Sequence, residues 1–191
     1  MAASEVAICN SALLKLGSAR ITSLSDTSPQ AVFMNEQYEK VRDDLLSSHP
    51  WNFAIKLVEL GQDTVTPEYG WAYRYVIPID VLRVLWIGQG TEEVLYDEWT
   101  RMERYIYTDL ATLKIKYIAQ ITDVSKFPAF FSEALAWRLA ADYAWSATQS
   151  ASLMERMHNI AEKRLREARS FDAQENFPQS IDISDWIVVR K

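Results

Sequence analysis

The sequence predicts an α+β fold, mainly α. It reads as a helical bundle of about four helices with an inserted small antiparallel β-sheet and an extended C-terminal tail. Three observations predict this. Apolar residues recur at steps of three and four over 4–16, 28–49, 128–149 and 151–173, the period of one helix face. From about 56 to 119 the pattern changes to β-branched and aromatic runs separated by turn residues. Beyond Pro178, which cannot continue a helix, Ile181 and Ile183 alternate with Asp182 and Ser184. The organisation that follows is one domain over 1–176 and a tail over 177–191.

Composition narrows the function classes. At 191 residues the chain can bury one substantial core. With 49% hydrophobic residues it is globular rather than disordered. Seven Trp and nine Tyr suit a core and also interfaces. A formal charge of −6 argues against a protein that grips nucleic acid through its phosphates. The lone cysteine, Cys9, has no internal disulfide partner, which suggests a reducing compartment. The opening stretch MAASEVAICNSALLKLG carries an early acid and a broken apolar pattern, unlike a signal peptide. No run approaches the length of a membrane span.

The first helix starts at Ser4. Val6, Cys9, Leu13 and Leu16 make its stripe, with Gly17 at the C-terminal cap. On that stripe Cys9 is a small buried apolar residue. Ile21 to Ser28 is a connector rich in Ser and Thr. Ser28 caps the second helix and Pro29 takes its first position. Ala31, Met34, Tyr38, Val41 and Leu45 face the core; Glu36, Glu39, Lys40, Asp43 and Asp44 fall mostly on the other side. The helix stops at His49, because Pro50 disfavours helical geometry before it. Trp51 and Phe53 follow. In extended chain both point the same way, so they form a structural anchor that pins the helix end onto the 128–149 helix.

In the insertion, strands are expected at 74–78, 81–88, 93–99, 104–109 and 113–119. Leu113, Ile115 and Tyr117 alternate with Lys114 and Lys116, as in a strand with one wet face. The third helix carries Phe131, Leu135, Leu139 and Tyr143 on one stripe. A second stripe holds Ala134, Trp137, Ala141 and Trp145, so this is the central helix. The fourth places Leu153, Met157, Ile160, Ala161, Leu165 and Ala168 inward. Its charged side, with Glu155, Arg156, Glu162, Lys163, Arg166 and Glu167, faces solvent or a neighbouring subunit. In the tail, Ile181, Ile183, Trp186, Ile187, Val188 and Arg190 are candidate partner-binding residues. Alternation suits addition to a sheet edge, and Trp with Arg anchors interfaces. That edge belongs to a partner or to the chain's own sheet.

No catalytic constellation is expected. His49 and His158, with one cysteine, do not supply a zinc site of usual spacing. His49 reads as a helix C-terminal residue favoured by the dipole. Five glycines are scattered, with no phosphate loop. Asp43 and Asp44 are adjacent, about 100° apart on a helix, and do not converge. The expectation is no enzyme, no cofactor and no metal.

One ordered set of motifs goes further. A short helix carries N-x-A-L-x-x-L-G, a turn carries I-x-S-L, and a second helix ends in R-D-x-L-L-x-x-H-P-W-N-F-A. The positions are Asn10, Leu13, Leu16, Gly17, Ile21, Leu24, Arg42, Leu45, Leu46, Pro50, Trp51, Asn52 and Phe53. This order resembles the head-to-tail adaptor (connector) proteins of tailed phages, and specifically the tail tubular protein A family of short-tailed phages. The resemblance covers about the first 54 residues; further on it rests on element order and length. It implies a structural virion protein, assembled in the host cytoplasm. It also implies a homo-oligomeric ring, a dodecamer, docked below the portal vertex. Such a ring binds the portal protein and the tail nozzle protein and continues the DNA channel, through which duplex DNA passes without specific binding. Portal and a neighbouring subunit then become the partners of the tail. Two other readings are a scaffolding module that forms no ring and a peptidoglycan hydrolase.

Overall fold

Ser4 starts α1 (Glu5–Lys15): its hydroxyl accepts the Ala7 N–H at 3.1 Å. Gly17 stops the helix with φ at 68°, a left-handed turn that glycine adopts freely. There the Ser18 N–H bonds to the Leu13 carbonyl at 3.0 Å and the Gly17 N–H to the Leu14 carbonyl at 3.1 Å, the paired bonds of a Schellman cap. The computed structural model describes residues 4–68, 70–89, 92–93 and 98–175. Ile8, Cys9, Ala12 and Leu13 are buried; Val6 and Leu16 only flank the core.

The second helix, α2 (Pro29–Ser47), is capped by Ser28, whose hydroxyl accepts the Ala31 N–H at 3.3 Å. Its expected stripe is buried, joined by Leu46 and by Arg42. The helix ends at Ser47, so His49 lies beyond it. Asn52–Ala54 then form a 3-10 turn, not extended chain as expected.

The insertion builds two antiparallel sheets where one is expected. Its strands in chain order are β1 (Ile55–Leu60), β2 (Tyr73–Val76), β3 (Val81–Gln89), β4 (Glu92–Glu93), β5 (Trp99–Met102), β6 (Tyr105–Thr108) and β7 (Leu113–Ala119). One sheet has the order β1-β7-β3-β4 and the other β2-β6-β5. Tyr75 and Ile106 on the second sheet and Leu113, Ile115 and Tyr117 on the first are buried in one core. α2 lies against β3 and β7 of the first sheet. The chain passes between the two sheets at Gly61, after which Gln62 bridges to Tyr75. The expected strand at 93–99 lies largely outside the described residues.

The helical layer closes with α3 (Ala129–Thr148) and α4 (Ala151–Gln174), joined through Gln149 in a left-handed turn. α3 packs against α4, α1 and α2, and is the central helix. Its second stripe is less buried than its spacing predicts. Trp145 is 47% exposed, and Trp137 is half-buried, with its indole N–H donating to Glu133 at 2.8 Å. On α4, Ile160 is only partly covered, and the buried stripe Met157, Ala161, Leu165, Ala168 runs on to Asp172.

Candidate assembly site

The polar residues of the motifs are used inside the protein. Asn10 clasps the connector: its amide donates to the Ile21 carbonyl at 2.9 Å and accepts the Ile21 N–H at 2.8 Å. Arg42, buried, donates to Asp43 at 2.8 Å, and the other oxygen of Asp43 accepts from the Gln120 amide at 2.6 Å. This chain of bonds ties α2 to the segment that leaves β7.

Trp51 sits at the centre of the next cluster. It is fully buried, 5.2 Å from Phe131 and 6.2 Å from Phe130 between ring centroids, both on α3. Its indole N–H donates to the Leu45 carbonyl at 2.9 Å, which satisfies one of the free carbonyls at the end of α2. Phe53, half-buried, lies 4.9 Å from Phe131. The 3-10 turn brings both rings to the same helix.

Asn52 and His49 meet α4 instead. The Asn52 N–H donates to the Asp172 carboxylate at 3.0 Å, and the Asn52 amide donates to the Asp172 main-chain carbonyl at 2.6 Å. His49 Nε2 lies 3.3 Å from the same carboxylate, and Arg169 donates to Ser48 at 3.1 Å. His49 is therefore placed by a side chain on α4, not by the dipole of α2. Asp172 is 2% exposed, and the sequence reading missed it, together with Arg169 and Gln120. A signal was present: Asp172 continues the steps 161, 165, 168 of an apolar stripe, where a carboxylate needs a partner.

Burial holds the His49 pKa below its usual 6.5, with Arg169 and Arg83 acting in the same direction and Asp172 opposing. A histidine lowered in the fold contributes stability that is present above 6.5 and lost as pH falls through the folded value. The melting midpoint should thus fall as pH drops from about 7 to about 5.5. His49→Gln should flatten that slope in the same thermal scans; an equal slope in both proteins would exclude His49 as its source. Cys9 is fully buried, which pushes its thiol up to about 12 and leaves it unreactive.

Several surface features are open to contact. Large apolar side chains stand exposed on separate elements: Val32 on α2, Trp145 on α3 and Phe171 on α4, with Leu57, Ile79 and Met102 in the β insertion. A cleft of about 600 Å³ opens against the second sheet, lined by Val65, Trp71, Arg74, Met102 and Tyr107 among others. Arg74 is already paired there with Asp63 at 2.7 Å and lies 4.6 Å over Tyr105. Among the described residues, no group of three or more His, Cys, Asp or Glu could hold a metal ion, and no helix is long and apolar enough to cross a membrane. The tail candidates Ile181, Ile183, Trp186, Ile187, Val188 and Arg190 lie outside the described residues. In comparisons with known proteins, no family model and no curated protein matches the chain.

Proposed function

We propose that this chain is a structural virion protein, a head-to-tail adaptor. In this reading it forms a dodecameric ring between the portal and the tail nozzle and continues the DNA ejection channel. The observation that supports it best is the fate of the motif side chains. Asn10, Arg42, Trp51 and Asn52 are all committed to internal bonds: the first three to Ile21, Asp43 and Leu45 nearby in the chain, and Asn52 to Asp172, 120 residues away. Such a motif specifies an architecture, not a reaction. Exposed apolar side chains on several elements then suit a subunit with more than one neighbour. The charge of −6, repeated around a ring, repels the phosphate backbone and lets duplex DNA slide without specific binding.

In the same reading the tail joins the ring to its partner. Ile181, Ile183, Trp186, Ile187, Val188 and Arg190 form a strand that adds to a portal sheet edge. Deleting residues 177–191 should leave the helices intact by circular dichroism and abolish capture of the chain by portal protein. Capture at full affinity would remove the tail from the account.

A further inference from the structure

We infer that the free edge of β1 is the dock for this chain's own C-terminal segment when no partner is present. β1 lies at the end of its sheet, paired on one side with β7. No strand pairs with its other side among the described residues. Proteins usually protect such an edge with a proline, a bulge or a short length. β1 has none of these, and only the exposed charges of Lys56 and Glu59 guard it. It runs six residues, IKLVEL, in unbroken register from Ile55 opposite Ile118 to Leu60 opposite Leu113. Leu57 on it is 67% exposed.

The place where α4 ends selects the occupant. Asp172 bonds to both the main chain and the side chain of Asn52, three residues before β1 begins. The chain therefore leaves α4 beside the root of the free edge. From there residues 175–180, extended, reach about 20 Å. That is about the length of β1 at 3.3 Å per residue. Residues 181–186 can then run back antiparallel to it, the stronger pairing.

The core-side face also matches. Leu57 stands opposite Lys116 and Glu59 opposite Lys114, so both lysines lie on the outer face; Val58 and Leu60 lie on the core side with Ile115 and Leu113. An antiparallel strand that sets Ile181 beside Leu60 and Ile183 beside Val58 places Asp182 on the outer face opposite Glu59, whose charge Lys114 on the next strand offsets. Val58 is only half-buried, and such a strand would cover it. A strand held here cannot at the same time serve a portal edge, so partner binding would require exchange.

Hydrogen exchange on the isolated full chain tests this, and does so independently of the ring, since no portal is present. Compared with the full chain, a protein ending at Asn176 should exchange its outward-facing amides in 55–60 at least about tenfold faster, with β7 and α3 unchanged. The protection in the full chain should not depend on concentration. Equal exchange of β1 in both proteins would overturn the dock. Protection that grows with concentration would place the tail of another copy there instead, and also overturn it. If truncation loosens the whole fold, full-length Ile181→Asp/Ile183→Asp decides: faster exchange confined to 55–60 supports the dock, and unchanged β1 exchange overturns it.

Discussion

Trp51→Ala should lower stability by roughly 3–5 kcal/mol, the range for deleting a large buried aromatic side chain. For a chain of this size that is about 6–20 °C in melting midpoint. The ring is fully buried between α2 and α3, and removing it leaves a cavity against Phe130 and Phe131. It also removes one of the two donors to the Leu45 carbonyl, leaving the Ser48 hydroxyl. Trp51→Phe keeps most of the apolar volume and loses that bond, so it should cost less. A thermal or urea melt of both variants checks this. An unchanged midpoint for Trp51→Ala would show that the ring is held at an intersubunit contact and not in the core.

Asp172→Ala should be the next most damaging change, at about 2–3 kcal/mol, the scale of a lost charge-assisted bond plus a stranded buried donor. The carboxylate is the acceptor for the Asn52 N–H and faces His49, so it closes α4 onto the corner at 48–53. Asp172→Asn keeps an oxygen for the Asn52 N–H and should recover part of the loss. Urea denaturation of the two variants separates these effects. Equal stability of Asp172→Ala and the parent protein would mean that the corner is not held by this bond.

What could be read from the sequence was what is decided locally. Ser4, Ser28 and Gly17 act on their own helix ends, within three to five residues, so the caps were visible in the chain. The helical stripes and the strand at Leu113–Ala119 show their periods directly. β1 was hidden because Lys56 and Glu59 interrupt its alternation, and an edge strand tolerates that. The split into two sheets depends on which strands pair, which alternation within one strand does not encode. Trp145 on α3 extends a stripe in sequence past the point where other elements cover it.

The site divides in the same way. Trp51 was legible because size, apolarity and its place after a helix stop all point inward. His49 was misread because its local setting suggested a dipole contact, whereas its partner Asp172 comes from the far end of the chain. The bond from Asn52 to Asp172 spans 120 residues, beyond any spacing rule.

The central claim, that this chain is a ring-forming adaptor, is tested most directly by electron microscopy of the full chain mixed with the portal protein of a short-tailed phage. The account predicts closed rings of this chain, with twelvefold symmetry, stacked on one face of the portal. Single copies that stay apart from the portal at every concentration would contradict it.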